Sequence, residues 1–108
     1  MTPQIHPHEL AQRLAEGEPT YLLDVRQPWE SQIASLPNSV LIPLDQLAAR
    51  HAEIRPDDDA LIVVYCHHGV RSLSAAAFLL KSGRSNVVSL HGGIDAWSFL
   101  VDPTVPRY

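Results

Sequence analysis

The stretch that most restricts the fold is Ala60-Leu61-Ile62-Val63-Val64-Tyr65, which holds no charged or amide side chain. A strand with one wet face alternates apolar and polar residues. A strand without that alternation is apolar on both faces, as at the centre of a parallel sheet covered by helices on each side. Parallel neighbours need long crossover connections, and the rest of the chain reads as such connections. Pro7 opens a helical pattern with Leu10, Ala11 and Leu14 on one face, and Gly17 stops it. Residues 20–25 read as a buried strand, 29–33 as a short helical turn, and 39–42 as a short strand ended by Pro43. Leu44, Leu47, Ala48, His51 and Ile54 have the spacing of one amphipathic helix, closed by the polar turn 55–59. A helix from Arg71 or Ser72 to Ser82, a strand over 86–90 and a helix over 94–100 follow, with Gly83 and Gly92-Gly93 as punctuation. Residues 101–108 carry two prolines and are expected as an extended tail. The order alternates strand and helix, which predicts an α/β domain with a central, mostly parallel sheet and helices on both faces.

The chain has 108 residues, enough for one core, and the expectation is a single domain over 1–108 with its core at about 5–100. A net charge of −4 argues against general binding to nucleic acid or anionic membranes, which need a basic surface. No apolar stretch approaches membrane-spanning length. The N-terminus has no charged start followed by an apolar run. The one cysteine excludes an intrachain disulfide. These features together predict a cytoplasmic protein.

That cysteine, Cys66, directly follows the apolar strand and begins Cys66-His67-His68-Gly69-Val70-Arg71-Ser72. In parallel sheets, ligands bind beyond the carboxyl ends of strands. Successive backbone N–H groups in a strand-to-helix loop form an anion cradle, and the helix adds its positive end. Gly69 permits the sharp turn, and Arg71 adds a permanent charge with a planar set of donors. A thiol so placed is expected to ionise readily. A lone cysteine is ordinarily a small buried hydrophobe. Here Gly69, Arg71 and Ser72 stand where an anion cradle needs them. Ser72 reads equally as a helix N-cap. Cys66 with His67 and His68 invites a metal reading, but adjacent histidines in a tight loop rarely face one ion and no second ligand cluster is apparent. The expectation is no metal and no cofactor, with His67 or His68 shaping the entrance.

The segment Cys66 to Ser72 resembles, position by position, the Cys-x-x-Gly-x-Arg-Ser loop of single-domain members of the rhodanese family. Leu23-Asp24-Val25-Arg26, followed by Trp29-Glu30 and Ile42-Pro43, is similar to that family's amino-terminal signature. Leu90-His91-Gly92-Gly93-Ile94-Asp95-Ala96-Trp97 is similar to its carboxyl-terminal one. One segment departs: where members often carry Gly-His-Ile-x-Gly-Ala, this chain has Ala34-Ser35-Leu36-Pro37-Asn38-Ser39.

The resemblance implies a sulfurtransferase. Cys66 takes the outer sulfur of a donor such as thiosulfate and passes it from a persulfide to cyanide, a thiol or a protein acceptor. In this reading the loop residues His67 to Ser72 bind the donor, with Arg71 drawing in its negative charge. Asp24 and Arg26 stand near the loop, and a structural ion pair, with Glu30 as a candidate partner of Arg26, is the preferred reading for them. Trp97 reads as core. Three rival functions share parts of this pattern. Phosphatases and arsenate reductases use a loop one residue longer between cysteine and arginine, so their tetrahedral oxyanion fits this shorter cradle poorly. Non-catalytic members of the family usually lack the cysteine. A carrier of persulfide between proteins, with little use for thiosulfate, stays open.

Overall fold

The computed structural model describes residues 2–108. Its five strands are β1 (Gln4–Ile5), β2 (Thr20–Asp24), β3 (Val40–Leu41), β4 (Leu61–Tyr65) and β5 (Val87–Leu90). They form one sheet in the order β1-β5-β4-β2-β3, and every pairing is parallel. The helices are α1 (Pro7–Ala15), α2 (Pro28–Ile33), α3 (Leu47–Arg50), α4 (Val70–Lys81) and α5 (Gly93–Leu100). This is the α/β architecture expected from the alternating pattern.

The two-residue period of the strands sorts the core into two layers. Leu23, Ile62, Val64 and Val87 face one side, where Leu47, Ala75, Ala76 and Leu79 cover them. Leu22, Val63, Tyr65 and Leu90 face the other, under Leu10, Ile94 and Trp97. β4 is buried on both faces, as its unbroken apolar run requires. Trp97 is core, as its place on the last helix suggests.

Two local readings change, and one short strand is added. The segment 44–54 is not one helix. It is a 3-10 turn (Leu44–Gln46), the single α turn of α3, and a second 3-10 turn (His51–Glu53). Pro43 and Pro56 confine it, no side chain caps α3, and a helix this short takes its form from packing rather than propensity. β1 has two residues, too short to show any periodicity. Residues 101–108 do not trail away as an extended tail. They turn back, with the Ser98 hydroxyl donating to the Val105 carbonyl and Arg107 holding Asp95 through two bonds of 2.9 and 3.1 Å.

From β4 the chain moves outward to β5, and from β2 it moves the opposite way to β3. The crevice at the carboxyl ends of β4 and β2 is therefore the topological switch point, where open α/β sheets bind ligands. Cys66 stands at one lip and Arg26 at the other. Among the described residues, no helix is long and apolar enough to cross a membrane.

Candidate active site

The site is built from the turn that converts β4 into α4. Gly69 caps α4 with φ +98°, a left-handed conformation that side-chain-bearing residues rarely adopt. This folds the loop back over the cysteine. The Gly69 N–H then donates to Cys66 Sγ at 3.1 Å, and the Ser72 N–H, from the first turn of α4, donates at 3.4 Å. The thiol reaches Ser72 Oγ at 3.5 Å, and that hydroxyl bonds Ser89 Oγ at 2.7 Å in the interior. Cys66 is 1% exposed. The sulfur is thus a buried atom with two backbone donors on it, and only a slender group can reach it.

The loop's carbonyls face the other way and are held by α5. Ile94 N–H donates to Cys66 O at 2.9 Å, and Asp95 N–H to His67 O at 3.1 Å. This close approach explains the Gly92-Gly93 pair. A Cβ on Gly93 would lie 2.6 Å from Cys66 O and nearer still to His67 O, and its φ is +65°. With the carbonyls fixed outward, the amides turn inward to the sulfur.

Ser72 is not the N-cap: that position belongs to Gly69, and Ser72 sits inside the first turn. Val70 is 73% exposed beside the mouth. His67 and His68 stack at 3.8 Å between ring centroids, and Tyr108 stacks on His67 at 3.9 Å with only 6° between planes. Burial, and then the neighbouring His68, pull the His67 pKa down. Its buried Nε2 has no hydrogen-bond partner. One ligand atom each from His67, His68 and Asp95 lies within 4.8 Å of the others, a grouping that leaves out Cys66. The two imidazoles lie nearly face to face, so their lone pairs run side by side rather than converge, and Asp95 is already engaged by Arg107. The arrangement suits stacking better than chelation.

Arg71 and Arg26 differ most from expectation. Arg71 makes no hydrogen bond to the sulfur and grips Glu30, Nη1 to Oε2 at 2.7 Å and Nη2 to Oε1 at 2.8 Å. Arg26 pairs with Asp24, not with the Glu30 side chain, through bonds of 2.9 and 2.7 Å, and both are buried. Burial lowers the Arg26 pKa, but the bonds from Asp24 and Tyr108 outweigh it and the net shift is upward. The two pairs are joined by Tyr108, whose hydroxyl accepts from Arg26 Nη1 and donates to Glu30 Oε1, both at 2.9 Å. Glu30 also takes the Gln27 N–H at 2.8 Å. The Arg71 pair, outweighing burial, holds the Glu30 carboxyl down at about 2.

The atypical segment 34–39 is tied into this frame. Arg26 Nη2 donates to the Ala34 carbonyl at 2.6 Å, Leu36 N–H donates to Tyr65 Oη at 3.2 Å, and Ser39 Oγ meets Tyr65 Oη at 2.8 Å. A surface groove of about 460 Å³ between α1 and the sheet is lined by none of the cysteine loop. Its residues offer no nucleophile, so volume and chemistry part company here.

The structure brings Cys66, Gly69 and Ser72 together. The sequence gives no sign that Tyr108 or Ser89 joins them, because those contacts depend on tertiary placement. Gly93 and Glu30 lie within the quoted signatures, and the carbonyl grip and the Arg71 pair are what those signature positions do.

Residues 6–99 match the rhodanese-like domain. The chain belongs to that family. It is 38% identical over 98 residues to a sulfurtransferase of Allochromatium vinosum, covering 91% of this chain and 90% of that one. It is 36% identical to the probable adenylyltransferase/sulfurtransferase MoeZ of Mycobacterium tuberculosis, covering 96% of this chain but only 26% of MoeZ. Among solved structures, a rhodanese-related protein of Thermoplasma volcanium superposes with a TM-score of 0.82 at 31% identity, over 98% of this chain and 99% of that one. A thiosulfate sulfurtransferase of Pseudomonas aeruginosa gives 0.86 at 27% identity, over 98% of this chain and 20% of the other. Relatives of this kind support sulfur transfer as the general activity.

Proposed function

We propose that this rhodanese-like protein carries sulfane sulfur on Cys66. The observation that supports it is the sulfur itself, a buried thiol with the Gly69 and Ser72 N–H groups on it at the carboxyl edge of a parallel sheet. The thiolate is the nucleophile in such chemistry. With thiosulfate as donor, Cys66 sulfur attacks the outer sulfur. The bond to the sulfonate sulfur breaks, and its electron pair leaves with sulfite. Cys66 then bears a persulfide whose terminal sulfur carries the negative charge, within reach of the loop donors. An acceptor such as cyanide or a thiolate attacks that terminal sulfur. The sulfur–sulfur bond breaks, and its electron pair returns to Cys66.

A carrier between proteins is the second reading. It is favoured by the apolar rim: Val70, and Trp29 at 60% exposed, flank the mouth. A thiol that must stay reduced between turnovers fits a cytoplasmic setting.

The test is intact mass after incubation with thiosulfate, then with cyanide. The expected result is a gain of one sulfur that cyanide removes and that Cys66→Ser lacks, with the variant's circular dichroism unchanged. Sulfur gained by Cys66→Ser would overturn the assignment.

A further inference from the structure

An arginine in a thiol loop is the natural receptor for an anionic donor, because its planar fork takes two oxygens at once. Arg71 already turns one such fork on a carboxylate, Glu30. One N–H of each terminal nitrogen is given to Glu30, and the arginine side chain is 35% exposed against 4% for the glutamate. Glu30 is equally committed. A carboxylate has about four acceptor positions. Two are filled by Arg71, one by the Gln27 N–H and one by the Tyr108 hydroxyl. A glutamate held on four sides cannot swing aside to release its arginine without leaving a buried charge unpaired.

The same balance holds at the other guanidinium groups beside the loop. Arg26 is matched by Asp24 and Arg107 by Asp95. His67 is biased toward its neutral form by burial. Each guanidinium group described beside the cysteine loop is therefore matched by a carboxylate, and the rim includes exposed apolar side chains.

We infer that Glu30 is a specificity-determining residue: by neutralising Arg71 it disfavours small dianionic donors such as thiosulfate and tunes Cys66 to persulfides borne on thiols. Tyr108 is a positioning residue that acts through Glu30. A persulfide donor suits this mouth because its outer sulfur is slender and its leaving group departs as a thiolate, with no sulfonate to be bound. This inference rests on the sulfur-transfer reading above.

The test compares two donors in steady-state kinetics: thiosulfate, and the hydropersulfide of 2-mercaptoethanol, whose leaving thiol carries no acid group. Wild-type protein is expected to have the higher kcat/KM with the hydropersulfide. In Glu30→Gln, Arg71 keeps its charge but loses its counter-ion. The ratio of the two kcat/KM values should then move about tenfold toward thiosulfate, mainly through a lower thiosulfate KM, and the shift should shrink with added salt. Adding Arg71→Met to Glu30→Gln should cancel the shift, which a merely structural glutamate would not do. Tyr108→Phe, which removes one of the four bonds and leaves the ion pair, should move the ratio the same way by about twofold to threefold. It also serves if Glu30→Gln fails to fold. Wild-type protein that loads sulfur while the folded variants keep its donor ratio would overturn the inference and leave the sulfur-transfer reading intact. Wild-type protein that takes sulfur from neither donor would overturn both.

Discussion

Gly93 gives the sharpest test of how the loop is held. Alanine there must adopt φ +65°, which costs about 1–2 kcal/mol for a residue with a Cβ. Its methyl group would also be driven against the carbonyls of Cys66 and His67. Backbone atoms cannot rotate away as a side chain end can, so α5 and the loop must separate. Overpacking of this kind costs about 1–3 kcal/mol. Separation weakens the bonds from Ile94 N–H and Asp95 N–H, each worth about 1 kcal/mol. The low ends of these terms sum to about 4 kcal/mol for Gly93→Ala. Gly17 is the control. Its φ is +69°, but a Cβ there meets nothing within 4 Å, so Gly17→Ala should lose only the conformational part, about 1 kcal/mol. Urea unfolding followed by circular dichroism measures both. The difference of about 3 kcal/mol corresponds to a melting temperature lower by roughly 12 °C or more. Gly93→Ala should also load sulfur more slowly, because carbonyls no longer held outward leave the Gly69 and Ser72 amides unaimed. If the two alanine variants unfold within about 0.5 kcal/mol of each other, the carbonyl grip does not position the loop.

Two further outcomes follow from the site. Ser72→Ala keeps the backbone donor on Cys66 but leaves the buried Ser89 hydroxyl without its partner, so it should destabilise by about 1–2 kcal/mol; adding Ser89→Ala should recover most of that in denaturant titrations. Glu30 makes stability depend on acid. Its folded pKa of about 2 lies below its ordinary 4.5, held there first by Arg71, so its contribution is complete above pH 4.5 and fades as pH falls toward 2. With allowance for the partly exposed arginine, about 2–3 kcal/mol should vanish across that window, and Glu30→Gln should flatten the loss when urea midpoints are compared at pH 5 and pH 2.5.

Much of this was readable from the chain because the signals were local. A short unbroken apolar run rich in β-branched residues between turn signals reads as a doubly covered strand, and a glycine three residues after a strand-end cysteine marks the turn that folds amides over sulfur. What was not readable depended on tertiary neighbours. Arg26 and Glu30 are four apart, a spacing that suggests an ion pair. Yet Glu30 lies in the first turn of α2 with its carboxylate toward α4, and Arg26 curls back on Asp24 at the end of its own strand. Ser72 looked like a cap because caps are usually polar side chains, whereas a left-handed glycine took the position instead. Tyr108 followed two prolines in a segment without periodicity, and nothing local tells a loose end from one that returns to the active site.

The strand register bears on the order in which the molecule forms. No strand pairs through a hairpin, and Ile5 meets Leu90 across nearly the whole chain. Sheets joined only by such distant partners fold slowly, because each closure must be complete before its contacts reward it. The grip of α5 on the loop and the stacking of Tyr108 on His67 are contacts made by residues 93–108, well along the chain from Cys66. Until they form, Cys66 is an ordinary thiol on an unfinished edge. The capacity to load sulfur should therefore appear abruptly and late during refolding, in step with closure of the outermost strand.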